Sequence, residues 1–303
     1  MTSMSSFQFR RRTKDALASK TMLLLTVAAA AIILLMIAGL YLKSRPILAD
    51  QALGKLLFSS RWHPFRGEFG FLAFIMGTLW VTGVAVLIAL PLCLLTAIYL
   101  SEYAHSRVRE WVKPLIDILA GIPSVVYGVW GILVIVPLIK DHLAPIFKSF
   151  STGYSVLAGG IVLAIMIFPV IIHVALEVLR AVPQEVREAS LALGATRWQT
   201  IKHVVMRKAL PGVAAAIVLG ISRAFGETMA VLMVVGNVPR IPASVLDPAY
   251  PLPALIANNY GEMLSIPLYD SALMLASLVL LLVILLFNVL SRVILARVEM
   301  SIR

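Results

Sequence analysis

Two charged side chains stand four residues apart inside an apolar run, in Ser222-Arg223-Ala224-Phe225-Gly226-Glu227-Thr228. An arginine at mid-bilayer costs roughly 2.5–3.5 kcal/mol or more, so Arg223 must face a cavity or a partner. Its planar guanidinium matches two oxygens of a tetrahedral oxyanion. Glu227 fits such a path only if the anion keeps a proton to donate, as phosphate does near neutral pH and sulfate does not. The four-residue spacing predicts that both side chains share one helix face. A mutual ion pair made purely for structure is therefore the competing reading. A second hydroxyl-bearing stretch, Leu119-Ala120-Gly121-Ile122-Pro123-Ser124-Val125-Val126-Tyr127-Gly128, offers Ser124 and Tyr127. There Gly121 and Pro123 loosen a helix, and a proline kink with close packing is the alternative.

The second chemical feature is a polar island, Glu188-Ala189-Ser190-Leu191-Ala192-Leu193-Gly194-Ala195-Thr196-Arg197-Trp198. Pro183 suits a helix start, and Glu185 and Glu188 favour the positive end of that helix. Gly194 suits a left-handed stop. Thr196 can cap a second short helix through Trp198 and Ile201. The expected result is a helix–turn–helix on the membrane face, a rigid knob able to carry motion from a partner to the flanking spans. An amphipathic helix that merely anchors the loop is the alternative.

These residues sit in a chain of 303 residues that is 60% hydrophobic and 14% charged. Soluble domains average about 45–50% apolar and about 25% charged, so the composition is that of an integral membrane protein. A helix crosses a core of ~30 Å with ~20 apolar residues. Six stretches qualify: 22–42, 71–100, 115–139, 155–179, 210–235 and 270–295. The fold class is all-α, since an isolated strand cannot satisfy its backbone in lipid. The first stretch exceeds the apolar run of a cleaved signal peptide and reads as a retained span. With the N-terminus inside, 17 of the 26 Lys and Arg fall on inner segments, 8 on outer ones, and Arg223 within a span. That bias predicts both termini in the cytoplasm. The net charge of +11 is thereby topological, and no basic module for nucleic acid stands out.

Smaller signals complete the reading. Cys93 is the only cysteine, so no intrachain disulfide is possible. The loop 236–269 carries Pro239, Pro242, Pro248, Pro251, Pro253 and Pro267, which predicts a non-helical cap or a re-entrant segment. Asp117 and Glu177 read as interfacial, His173 as a packed or hydrogen-bonded histidine, and Asn288 as an interhelical hydrogen-bonding group. No Gly-x4-Gly-Lys-Ser/Thr loop occurs, and Gly54-Lys55 lacks its context. No HExxH or GxSxG arrangement supports an intramembrane enzyme.

The polar island resembles the EAA loop of ABC-importer permeases. Glu188, Ala189 and Gly194 match, Val204 and Met206 fill the aliphatic places, and Arg207 stands where proline is usual. The segment Arg223–Val231 with Gly236-Asn237, and the stretch Leu119–Gly128, resemble segments of the two phosphate-importer permeases. Gly77-Thr78 and Asn288 fit as well. Leu115–Leu119, Trp130-Gly131 and Ala257–Glu262 look more like the PstC type than the PstA type.

The resemblance covers about 68–295. It implies a six-span, type I ABC-importer permease fold with cytoplasmic coupling helices. The segments would be a cytoplasmic 1–21, a first span with outer loop at 22–67, the permease domain at 68–295 and a tail at 296–303. It further implies a substrate path at Arg223, Glu227, Thr228, Ser124 and Tyr127. ATPase coupling would fall to Glu188, Ala189, Ser190, Gly194, Ala195, Thr196, Arg197 and Trp198. The implied partners are a PstA-like second permease, a PstB-like ATPase dimer that holds ATP and Mg, an extracytoplasmic phosphate-binding protein and the lipid of a bacterial inner membrane. This chain itself would hold no cofactor. A permease for another oxyanion, sulfate or molybdate, the PstA-type paralogue, and a non-transporting sensor or scaffold are the rival readings.

Overall fold

The computed structural model describes residues 3–147, 150–262 and 265–302. Among them, six helices are long and apolar enough to cross a membrane. Spans one to six are Leu17–Asp50, Leu72–Tyr103, Ser124–Ile146, Val156–Arg180, Arg197–Gly226 and Tyr269–Leu290. Spans two and five hold 32 and 30 residues. At ~1.5 Å per residue both run to about 45 Å or more and project beyond the lipid.

Two expected spans are divided differently. The stretch 115–139 is not one helix. An amphipathic helix, Ser106–Gly121, ends at Ile122, and span three begins at Ser124. Pro123 has no N–H to donate and pushes the residue before it out of helical geometry; Ile122 has φ −68° and ψ 128°. The stretch 210–235 is likewise broken. Its helix starts at Arg197, runs through Pro211 and stops at Gly226. Glu227 is extended, with φ −71° and ψ 128°, and a half-helix, Met229–Val234, follows.

Span four is the centre of the bundle and packs on both span two and span five. Small residues permit the close approach. A Cβ at Gly160 would lie 2.4 Å from Val84 of span two, and one at Gly220 2.4 Å from Ile171. Ala85, Ala89, Cys93 and Ala164 are fully buried in the same core. Spans one and six pair at the periphery. Among the described residues, a hydrogen bond from Ser222 Oγ to Asn288 Oδ1 at 2.9 Å ties span five to span six, as the sequence predicts for Asn288.

The loop after span one is ordered by aromatic packing. Trp62 pairs with Phe69 in a short antiparallel hairpin, Trp62–His63 with Glu68–Phe69, and its ring meets Phe74 edge-on at 5.0 Å. The proline-rich loop is not free of helix. Leu252–Asn259 is helical, and Leu252 to Leu255 are buried. Pro253 sits in the first turn, where no backbone donor is needed. The Leu252 N–H donates to Thr78 Oγ1 of span two at 2.8 Å.

Candidate functional site

The polar island forms one continuous corner. A loop helix, Gln184–Ala192, starts after Pro183 and ends at Leu193. Gly194 then adopts φ +83°, a conformation that only glycine enters without strain. Thr196 and Gln199 form a reciprocal capping box: the Gln199 N–H donates to Thr196 Oγ1 at 3.3 Å, and the Thr196 N–H to Gln199 Oε1 at 2.8 Å. The helix that Thr196 caps is not short, as the sequence suggests, but is span five itself. A π-helical turn, Ile201–Val205, links the cap to the membrane portion. The hydroxyls of Ser190 and Thr200 lie 2.9 Å apart and close the corner. Glu188, Ala189, Arg197 and Trp198 are exposed, Ala195 is half-buried, and Leu193 is 89% exposed. An exposed Leu and Trp at the tip of a rigid corner is a surface suited to a partner's cleft.

Beneath the corner lies a carboxylate the sequence did not single out. Glu102, at the end of span two, pairs with Arg187 of the loop helix at 2.9 and 3.2 Å, a bidentate contact. The two side chains are 8% and 13% exposed. Arg187 also donates to the carbonyls of Val182 and of Leu179, the latter at 2.8 Å. Arg197 donates to the Glu102 carbonyl and stacks over the Tyr103 ring, 4.9 Å from its centroid. The loop is thus fastened to the ends of spans two and four and is continuous with span five. The signal available in sequence was a lone Glu at a span end, and the long-range pairing had no local trace.

The second constellation gathers at the two helix breaks. The half-helix Met229–Val234 packs on the start of span three, where a Cβ at Gly128 would lie 2.5 Å from Met233 Sδ. Arg223 is exposed near the end of span five. Arg223 and Glu227 do not share a continuous helix, and among the described residues they form no ion pair. The i,i+4 expectation fails because the chain leaves helical geometry at Glu227. Its carboxylate instead accepts from the Ala230 N–H at 3.5 Å. The Thr228 hydroxyl bonds the Gly226 carbonyl at 3.3 Å, inside the turn. Tyr127 is buried, and its hydroxyl donates to the Leu119 carbonyl at 2.8 Å, across the Pro123 break. Arg223, half-buried Glu227 and half-buried Ser124 remain available to a solute. Tyr127 and Thr228 hold the breaks. His173 is not isolated: its Nε2 lies 2.8 Å from Asp117 Oδ1, which joins span four to the amphipathic helix.

Residues 89–303 match the family model described as binding-protein-dependent transport system inner membrane component. The chain belongs to this family. Among its relatives is a probable ABC transporter permease protein, YqgH, of Bacillus subtilis, 44% identical over 210 residues, 69% of this chain and 66% of that one. The phosphate transport system permease protein PstC of Xylella fastidiosa is 37% identical over 80% of this chain and 78% of its own length. PstC of Haemophilus influenzae is 33% identical over 82% of both chains. The fold is that of ABC-importer permeases. The inward-facing MetNI methionine ABC transporter aligns with a TM-score of 0.55 at 21% identity, over 73% of this chain and 93% of that one. A bacterial ABC transporter for alginate import aligns with a TM-score of 0.56 at 18% identity, over 94% and 98%. As a binding-protein-dependent permease, the chain is a multi-pass inner membrane protein and not itself an enzyme. Membership implies that it works with an ATPase and a substrate-binding protein.

Proposed function

We propose that the chain is the PstC-type permease subunit of an ATP-driven importer of inorganic phosphate. Its second permease would be PstA-like, its ATPase a PstB-like dimer holding ATP and Mg, and its extracytoplasmic partner a phosphate-binding protein. Both termini lie in the cytoplasm, by the distribution of Lys and Arg. Arg223 carries the reading. It is an exposed guanidinium about 20 Å along span five from Leu210, at ~1.5 Å per residue. No carboxylate among the described residues neutralises it, and relatives named for phosphate transport align over about 80% of the chain. When ATP closes the ATPase pair, the corner from Glu188 to Trp198 is displaced. Glu102, Arg187 and the continuous helix of span five carry that displacement to the break at Glu227. Phosphate passes there against Arg223, and the Glu227 carboxylate accepts a hydrogen bond from the proton that phosphate retains.

Radiolabelled phosphate uptake tests this, in a strain lacking its own importer and with the four components co-expressed. Uptake is expected to need ATP and to ignore competing sulfate. Arg223→Ala lowers it about tenfold or more, the effect of losing one charge-assisted contact. Glu227→Gln erodes the preference for phosphate over sulfate. Undiminished uptake in Arg223→Ala would return that residue to a structural role, and an intact preference in Glu227→Gln would remove the proton-donor account.

A further inference from the structure

A cavity of about 580 Å³ opens between the ends of spans two and four, the amphipathic helix and the loop helix. Its charged lining is Arg109, Arg180, Arg187 and Arg197 against the single carboxylate of Glu102, four positive charges against one negative. Arginine stays protonated in proteins, so three charges are uncompensated. Glu102 is already engaged: its carboxylate takes Arg187 and the Ser101 hydroxyl, and its carbonyl takes Arg197.

Arg109 and Arg180 remain. Arg109 Nη2 donates to the Ala104 carbonyl at 2.9 Å and to the Ser101 carbonyl at 3.4 Å, and among the described residues no carboxylate pairs with it. Arg180 forms no ion pair among the described residues, and it lies close enough to Arg109 for the two charges to repel. Two like charges facing one cavity, neither in an ion pair among the described residues, fit an anion that bridges them. The exposed amide of Gln184 lines the same cavity and adds neutral donors.

We propose that Arg109 and Arg180, with Gln184 beside them, bind a phosphate-bearing anion at this cavity, at a site separate from the path at Arg223. Three positive charges remain after the one carboxylate is counted, and the guanidinium fork matches paired phosphate oxygens. The cavity lies at the ends of two spans, on the membrane face that carries the loop helix. Two sources of the anion share that chemistry: free inorganic phosphate, and the headgroup of an anionic phospholipid, which basic pockets between spans receive. A bound anion joins the amphipathic helix, span four and the loop helix, so its occupancy stiffens the corner that Glu102 fastens. The site does not depend on which solute the path at Arg223 carries.

The test uses the full chain in nanodiscs. Radiolabelled orthophosphate binding is measured by equilibrium dialysis in discs of phosphatidylcholine alone. Retained lipid is measured by native mass spectrometry in discs that also contain cardiolipin. One of the two probes is expected to bind the wild type, and the Arg109→Gln/Arg180→Gln double variant to bind it about tenfold or more weakly. Arg223→Gln, which removes the contribution of the path, keeps the part of the binding that the double variant loses, and Arg180→Lys is intermediate. Orthophosphate binding identifies the free anion as the ligand, and cardiolipin binding identifies the headgroup. Arg180→Gln alone, at an exposed position, gives the same reading with a smaller loss if the double variant fails to fold. Equal binding by wild type and double variant, or no binding of either probe to the wild type, would overturn the proposal. So would orthophosphate binding that vanishes in Arg223→Gln and survives in the double variant, since it would then belong to the path.

Discussion

At the residue scale, the same rule succeeds or fails according to the backbone beneath it. The i,i+4 argument placed Arg223 and Glu227 on one face, yet the helix stops at Gly226 and Glu227 turns to the Ala230 N–H. Among the described residues Arg223 is left without a carboxylate partner, and on this rests the proposal that it meets the anion. Glu102 is the opposite case. Its partner Arg187 lies 85 residues away, and both side chains are nearly buried. Removing one member of a buried pair leaves a charge without compensation and costs about 3–5 kcal/mol. Arg187→Ala is therefore expected to lower the thermal unfolding midpoint of the purified chain sharply. An Arg187→Leu/Glu102→Leu double variant should recover much of the loss. A midpoint unchanged by Arg187→Ala would show that the pair is solvated and does not fasten the loop.

At the element scale, the corner between the loop helix and span five depends on a single backbone conformation. Gly194 has φ +83°, and proline is locked near −65°. Gly194→Pro must therefore redirect the chain between Ala192 and Thr196 and misplace Leu193 and Trp198. Membrane insertion, set by the apolar spans, is expected to remain normal by fractionation, while ATP-dependent uptake is abolished. Preserved uptake would contradict a coupling role for the corner. The breaks at Pro123 and Glu227 are the other decisive element-level features. Pro123 was visible in sequence as a loosened helix. The stop at Gly226 was not, because Glu227-Thr228 carries no proline, and the half-helix resumes after those two residues, at Met229.

At the scale of the whole molecule, the bundle is organised by how closely span four approaches its neighbours. Spans in lipid gain little from hydrophobic burial against one another, so packing of small residues supplies the association. Gly160 meets Val84 with no room for a methyl group, whereas nothing lies within 4 Å of a Cβ at Gly54. Gly160→Val is expected to destabilise the purified chain by about 1–3 kcal/mol through overpacking, read as a lowered unfolding midpoint in detergent. Gly54→Ala should leave the midpoint unchanged. Equal midpoints for the two variants would show that spans two and four do not pack as described.

The sequence alone determined the membrane class, the six spans, the bias of basic residues and the location of the polar island. Each of these rests on composition or on a local run of residue types, which the chain carries however it folds. The capping residues Thr196 and Gly194 were legible for the same reason, since their chemistry reaches only a few positions. Tertiary structure decided where the helices break and which polar groups are spent on holding those breaks. It also decided that Glu102, Arg187 and Arg197 converge, and that Arg109 and Arg180 face one cavity, neither in an ion pair among the described residues. Such pairings join residues up to 95 positions apart, and only the packing of spans two, four and five brings them within reach of a hydrogen bond.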